Sequence, residues 1–142
     1  MKRDWVHYMS LVVAIDFDGT IVEHIFPNIG KAVPGAFKWM KKFQDSGARL
    51  VLYTMRSDGQ ESGDVLNEAV QFCRKNGIEF WGINTNPEQL EWTSSPKAYA
   101  QIYIDDAAYG CPLVENKNDR PYVDWSIVGP AVLEKIQSYK RD

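Results

Sequence analysis

The chain has 142 residues, enough for one domain with a substantial hydrophobic core. Hydrophobic residues make up 44% of it and charged residues 25%, a balance that is ordinary for a globular protein and excludes a fibrous or disordered chain. The formal net charge is −3 and basic runs are no longer than two residues, as at Lys41-Lys42, which argues against nucleic acid as the main partner but leaves it open.

The beginning of the chain places basic residues before a short apolar run, residues 11–15. This run is too short for the hydrophobic part of a signal peptide, and Asp16 interrupts it. No stretch approaches the ~20 apolar residues of a membrane span. We therefore expect a cytoplasmic protein without a membrane partner. Cys73 and Cys111 are expected to be reduced thiols, or alternatively to form one disulfide.

Strand and helix patterns alternate along the sequence. Continuous apolar, β-branched runs predict buried strands, and apolar residues at helical spacing predict amphipathic helices. In chain order the predicted elements are a strand at 11–15, a helix at 34–47, a strand at 48–54, a helix from 65 to 77, strands at 78–83 and 101–106, a short strand at 121–125 and a helix at 126–140.

This alternation indicates an α/β domain with a mostly parallel central sheet. In such sheets the carboxyl ends of the strands open onto one crevice, where ligands bind. Asp16, Thr54 and the pair Asp105-Asp106 all stand at predicted carboxyl ends. We expect these side chains to converge although they are far apart in sequence.

The first acidic pair, Asp16 and Asp18, follows the first strand. Residues two apart in an extended segment project to the same side, and Gly19 allows the chain to turn sharply away. Two close carboxylates repel each other, so that one is kept protonated or both share a metal ion. The spacing alone is equally consistent with an Asx turn or a helix cap.

The second acidic pair, Asp105-Asp106, ends another buried strand. Four acids in one crevice need compensation, and a hard divalent cation such as Mg²⁺ provides it through oxygen ligands. Taken alone, this pair could also cap a following helix. Thr54 adds a hydroxyl group and Lys97 an ammonium group, although a lone lysine is more often solvated. Together these groups are typical of phosphoryl-transfer sites.

Four segments, in order, resemble the motifs of the haloacid dehalogenase (HAD) superfamily: DFDGT at 16–20, LYT at 52–54, Lys97 and IDD at 104–106. The resemblance implies a three-layer Rossmann-like fold and an HAD-like hydrolase core over residues 1–142. HAD phosphatases often carry a cap domain. Here residues 20–34 suffice only for a short flap, and one helix, one strand and loops account for the chain between Thr54 and Lys97. We therefore expect a capless protein with an open crevice.

The resemblance also implies catalytic roles. Asp16 would be the nucleophile that forms an aspartyl-phosphate, and Asp18 would be the general acid and then the base that activates water. Thr54 and Lys97 would hold the phosphoryl oxygens. The implied activity is that of a phosphoric monoester hydrolase.

The implied cofactor is Mg²⁺. Its ligands would be a carboxylate oxygen of Asp16, the main-chain carbonyl of Asp18, and the pair Asp105-Asp106. Asp106 occupies the usual place of the direct ligand, and Asp105 would act directly or through water.

An open crevice leaves the substrate in contact with the loops. Arg56 suits a second phosphate or a carboxylate, and His24 in the flap is another candidate, although a solvent-exposed loop histidine is the favoured interpretation. The segment INTNPEQLEW at 83–92 supplies further candidates. The expected partner is a phosphorylated small molecule, with a homo-oligomer as one way to cover the site. A nucleic-acid 3′-phosphate or a phosphoprotein would also suit it.

Two other classes of protein remain as alternatives. A signalling receiver domain uses a similar set of residues, but its acidic pair comes on the first strand, whereas here the pair follows Lys97. A catalytically idle HAD fold would serve only binding or assembly. Because every chemical position is filled, the sequence favours an enzyme.

Overall fold

The computed structural model describes residues 10–139. Its central feature is a parallel sheet in the order β3-β2-β1-β4. The strands are β1 (Val12–Ile15), β2 (Arg49–Leu52), β3 (Gly82–Ile83) and β4 (Ile102–Ile104). All four residues of β1 are buried, as expected for a central strand covered on both faces. The predicted α/β class with a mostly parallel sheet is therefore confirmed.

Three helices cover one face of this sheet. They are α1 (Ala36–Asp45), α2 (Val65–Lys75) and α3 (Trp125–Tyr139). Their buried residues form one hydrophobic core with Val13 and Ile15 of β1 and with Leu50 and Leu52 of β2. The predicted last residue of the third helix, Lys140, lies outside the described residues. No helix between residues 10 and 139 is long and apolar enough to cross a membrane.

The opposite face of the sheet is covered by irregular chain. Val12, Ala14 and Val51 pack against Ala98 and Ala100 of the segment 84–101. Within this segment the described structure contains one 3₁₀ turn, Gln89–Glu91, and no α-helix. The expected three layers are thus present only in part, because the third layer is a loop rather than helical.

The buried side chain of Gln89 holds this irregular layer together. Its amide nitrogen donates hydrogen bonds to the carbonyl groups of Ser95, at 3.1 Å, and Lys97, at 2.8 Å. Its amide oxygen accepts a hydrogen bond of 2.8 Å from the N–H group of Tyr99. Buried main-chain polar groups need hydrogen-bond partners. Here the Gln89 side chain provides the hydrogen bonds that main-chain groups would provide in a helix.

The strand predictions differ from the structure at two places. The predicted strand at 78–83 is reduced to two residues, because only Gly82 and Ile83 pair with β2. The short strand predicted at 121–125 belongs to an antiparallel hairpin apart from the main sheet, formed by β5 (Leu113–Asn116) and β6 (Asp119–Val123). The residues of β5 are exposed or half-buried, so the strand lacks the apolar pattern that marks the other strands.

Candidate metal centre and crevice

Three aspartates meet at the carboxyl edge of the sheet. Asp16 follows β1, and Asp105 and Asp106 follow β4. These two strands are parallel neighbours with Ile15 opposite Ile104, so both chains leave the sheet side by side. One carboxylate oxygen of each aspartate lies within 4.8 Å of the others. We call these three residues the aspartate cluster.

Thr20, the last residue of the DFDGT segment, lies beneath the cluster and contacts both Asp16 and Asp106. Its side chain is fully buried, and its hydroxyl group lies 3.1 Å from Oδ2 of Asp16 and 3.5 Å from Oδ1 of Asp106. The hydroxyl oxygen also accepts a hydrogen bond of 3.1 Å from the main-chain N–H group of Asp106. Sequence reasoning assigned no role to Thr20, and its place in the motif was the available signal.

His24 contacts the cluster from the flap. Its Nε2 atom lies 2.9 Å from Oδ2 of Asp106, and its ring is half-buried. This position differs from that of the solvent-exposed loop histidine favoured by the sequence. Gly19 makes the contact possible, because its φ is +89° and a side chain there would collide with both His24 and Asp106.

The electrostatics of the cluster favour a bound cation. Burial, the charge of Asp105 and the contact with Asp106 together raise the pKa of Asp16 to about 8. Each of these causes penalises the ionised form of Asp16. A cation among the three carboxylates would reverse that penalty. The donor set, all carboxylate oxygens, suits a hard divalent ion.

Asp18 lies in different surroundings from Asp16. Both of its carboxylate oxygens accept hydrogen bonds from Arg56, with Nε 2.8 Å from Oδ2 and an Nη2 atom 2.8 Å from Oδ1. Its side chain is not part of the aspartate cluster among the described residues. The ligand role expected for its main-chain carbonyl stays a prediction.

Arg56 is buried, with 2% of its surface exposed, and its guanidinium group is fully engaged. The N–H groups not bonded to Asp18 donate to the carbonyl groups of Pro27 and Asn28 in the flap and of Val65 in α2. A guanidinium group has five N–H donors, and all five are used. The guanidinium group therefore has no free donor for a substrate in this conformation, and the predicted substrate contact of Arg56 stays a prediction. Arg56 instead ties Asp18 to the flap.

A crevice of about 330 Å³ opens beside the cluster. It is lined by Asp16, Tyr53, Thr54, Met55, Asn84, Pro96 and Asp105. A larger hollow, about 590 Å³, is bounded by Leu11, Gln101 and α3, and it contains no member of the aspartate cluster. We therefore regard the smaller crevice as the candidate substrate site.

Thr54 lines the crevice as the sequence predicts, but its main-chain N–H group is occupied. That group donates a hydrogen bond of 2.7 Å to Oδ1 of Asn84, and the Thr54 hydroxyl oxygen accepts one of 3.1 Å from the N–H group of Arg56. Asn84 follows β3 and has a φ of +57°. It lies within the segment 83–92 that was predicted to contact substrate, but nothing in the pattern distinguished it from its neighbours.

Lys97 stands beside the crevice with its side chain turned away. Its Nζ atom lies 5.2 Å from the centre of the Tyr103 ring. Between residues 10 and 139 it forms no ion pair with a carboxylate. The neighbouring residue, Pro96, lines the crevice, so the main chain of Lys97 is close to the position that the sequence predicts.

Comparison with known proteins finds a related solved structure. No protein-family model and no curated protein matches the chain. A solved structure, described as that of a conserved protein coded by a locus from Bacteroides thetaiotaomicron, is 36% identical, with a TM-score of 0.68. The match covers 89% of this chain and 92% of the other, whose description states no activity. The chain therefore belongs to the same family as this conserved Bacteroides protein.

Proposed function

We propose that the protein is an Mg²⁺-dependent phosphatase of the capless HAD type, which hydrolyses a phosphomonoester through an aspartyl-phosphate on Asp16. The observation that carries the proposal is the aspartate cluster, whose three carboxylate oxygens lie within 4.8 Å of one another. Two of its members, Asp16 and Asp105, also line the crevice together with the hydroxyl-bearing Thr54. The residues proposed as nucleophile, cation ligands and phosphate contact thus lie at one open crevice.

Mg²⁺ fits the residues that are present. Asp16, Asp105 and Asp106 would hold it with oxygen atoms, the ligands that this ion prefers. Thr20 and His24 would orient two of these carboxylates through the hydrogen bonds described above, as supporting residues do around other metal sites. When bound, the ion would neutralise negative charge and polarise a phosphoryl oxygen.

Asp16 would act as the nucleophile. Its carboxylate oxygen forms a bond to phosphorus while the bond to the ester oxygen breaks, and the leaving group departs with a proton. Water then attacks the aspartyl-phosphate, which releases inorganic phosphate and restores the carboxylate. The hydrogen bond from Thr20 to Oδ2 restricts rotation of the Asp16 side chain and so reduces the number of unproductive orientations.

Asp18 would move the protons in both half-reactions. Its pairing with Arg56 suits the second half-reaction, in which a carboxylate accepts a proton from the attacking water. In the first half-reaction Asp18 has to donate a proton to the leaving group. It must then be protonated and released from Arg56, so the proposal requires this pair to open during turnover.

Thr54 and Lys97 would hold the transferred phosphoryl group. The Thr54 side chain already lines the crevice. Lys97 would have to rotate its side chain away from the Tyr103 ring, and exposed side chains change rotamer rapidly. A bound anion would favour that rotation, because an ammonium group gains more from a phosphate than from an aromatic ring.

Two features support the capless part of the proposal. The flap, residues 20–34, is a short strand-like excursion in which Val22 pairs with Ala32. Between Thr54 and Lys97 the described chain contains α2, β3 and the 3₁₀ turn, with no inserted domain. The crevice consequently stays open toward solvent, so a large substrate or a second subunit would have to cover it.

The proposal is tested by hydrolysis of 4-nitrophenyl phosphate with Mg²⁺. We expect Asp16→Asn and Asp18→Ala each to lower kcat/KM by at least about 10³-fold, because each removes a group that acts in the transition state. Asp45→Asn, which removes an exposed carboxylate from α1, is the matched control and should retain activity. Undiminished turnover by the Asp16 variant would refute the mechanism.

A screen with phosphorylated metabolites and 3′-phosphorylated oligonucleotides would identify the substrate class. An idle binding module would hydrolyse none of these compounds, although it could still bind Mg²⁺. Preference for the oligonucleotides would favour a nucleic-acid 3′-phosphatase instead.

A further inference from the structure

The charges of the side chains that line the crevice indicate which leaving groups would fit there. Two of the lining side chains, Asp16 and Asp105, are acidic, and the other five are uncharged. Arg56, which follows the crevice residue Met55, directs all of its N–H groups at Asp18 and at main-chain carbonyl groups. The part of a substrate beyond the phosphoryl group therefore meets neutral polar groups, apolar groups and negative charge.

Asn84 lines the crevice with an amide group that is held by a short hydrogen bond. Its Oδ1 atom accepts a hydrogen bond of 2.7 Å from the main-chain N–H group of Thr54. An N–H group can only donate, so the amide oxygen must face Thr54 and Nδ2 must be the other end of the side chain. Among residues 10–139 no hydrogen bond is formed by Nδ2. The anchored oxygen leaves the NH₂ group as a donor for a ligand in the crevice.

The backbone at Asn84 supports this assignment. Its φ of +57° is a left-handed conformation, which asparagine and aspartate tolerate better than most residues. Such conformations outside glycine often occur at ligand-binding positions, where surrounding contacts maintain them. Here the conformation directs the side chain across the end of β2 to Thr54. The left-handed backbone and the side-chain hydrogen bond thus both hold the Asn84 amide in this position.

We propose that Asn84 determines substrate specificity by donating a hydrogen bond from Nδ2 to an uncharged oxygen of the leaving group. The substrate class is then a phosphomonoester of a neutral hydroxylated compound, rather than one that carries a carboxylate or a second phosphate. This inference rests on the proposed phosphatase function. It adds the chemical class of the leaving group and the residue that recognises it.

Two physical effects act in the same direction. The cations of the proposed site, Mg²⁺ and the Lys97 ammonium group, are engaged by the phosphoryl group. An anionic leaving group would therefore lose hydration without gaining a cationic partner of its own, and like charges in contact are strongly unfavourable. A neutral hydroxyl group avoids this repulsion and can accept from the Asn84 amide. Sites that form a hydrogen bond with a substrate hydroxyl discriminate well against compounds that lack it.

The experiment uses two substrates with the same carbon skeleton, glycerol 1-phosphate and 3-phosphoglycerate. They differ at the end remote from phosphate, which is a neutral hydroxymethyl group in the first and a carboxylate in the second. We expect wild-type kcat/KM with Mg²⁺ to be at least about tenfold higher for glycerol 1-phosphate. Equal values, or a preference for 3-phosphoglycerate, would overturn the inference.

Asn84→Asp tests the role of the amide with little change in side-chain shape. Aspartate retains an oxygen for the Thr54 N–H group and tolerates the left-handed backbone, but it removes the donor and adds a negative charge. We expect kcat/KM for glycerol 1-phosphate to fall about five- to tenfold and that for 3-phosphoglycerate to fall further, which widens the ratio between them. Gln71→Glu, the same amide-to-acid change on the exposed face of α2, should leave the ratio unchanged.

The outcomes separate this inference from the phosphatase proposal. An unchanged ratio in an active Asn84→Asp enzyme would overturn the inference alone, because neither the lost donor nor the added charge would then act on the leaving group. If the wild-type protein hydrolyses neither compound nor 4-nitrophenyl phosphate, both proposals fail together.

Discussion

Asp16 and Asp18 stand two residues apart in one motif, yet their electrostatic surroundings are opposite. Asp16 faces two other carboxylates, and burial among them raises its pKa to about 8. Asp18 is clasped by the guanidinium group of Arg56 through two hydrogen bonds of 2.8 Å. The fold therefore compensates the charge of Asp18 internally, whereas it penalises the charge of Asp16. Such uncompensated charge is typical of positions where stability is sacrificed for ligand binding.

The largest expected effect comes from removing the charge partner of Asp18. Arg56→Met should lower the free energy of unfolding by about 3–5 kcal/mol, because Asp18 would lose its buried charge partner. Urea denaturation would measure the change. Arg56→Lys retains the charge but not the two-pronged geometry, so its loss should be intermediate. The double variant Asp18→Asn with Arg56→Met should recover part of the stability. A wild-type midpoint for Arg56→Met would contradict the role given to this pair.

The next prediction concerns binding of Mg²⁺ to the aspartate cluster. Mg²⁺ at about 100 times its dissociation constant should stabilise the wild-type protein by about 2.7 kcal/mol, since it binds only the folded state. Thermal unfolding with and without the ion measures this effect independently of any enzymatic activity. Asp16→Asn should largely abolish the stabilisation, whereas Asp45→Asn should not. An equal rise of Tm in the Asp16 variant would place the ion elsewhere.

The smallest effect concerns pH in the absence of metal. The folded pKa of Asp16, about 8, lies above its ordinary value of 3.8, so the folded state retains a proton that the unfolded chain releases. The stability contribution of this proton is complete below about pH 4 and is lost as pH rises toward 8. Asp16→Asn should remove this dependence and should stabilise the metal-free protein at pH 8, where the wild-type protein pays for the ionised form of Asp16. Denaturation in EDTA at pH 5 and pH 8 would reveal it. A wild-type protein that is more stable at pH 8 would contradict this assignment.

The sequence predicted the main strands and helices well because their signals are local. The apolar run before Asp16 and the helical spacing in α1 and α2 depend on near neighbours, and each element occurs close to its predicted place. The hairpin of β5 and β6 was largely missed, because its residues are mostly exposed and lack an apolar alternation. The covering of the second sheet face was also mispredicted, since Gln89 stabilises an irregular segment by hydrogen bonds that no periodicity indicates.

The candidate site shows the same division between local and distant effects. The acids at the ends of β1 and β4 were expected to meet, because parallel neighbours share one carboxyl edge. The contacts of Thr20 and His24 with Asp106 join residues 86 and 82 positions apart, and no sequence pattern links them. Arg56 looked free for substrate because its partner, Asp18, is 38 positions away.

The sequence by itself determined that two buried strands end in carboxylates, because an apolar run followed by acid is a local property of the chain. Only the tertiary structure decided that Asp18 is paired with Arg56 and that Asp16 lies beside two other carboxylates. The reason is physical: the energy of a charge depends on burial and on the groups within a few ångströms. Those groups come from separate strands and loops, so their arrangement exists only in the folded chain.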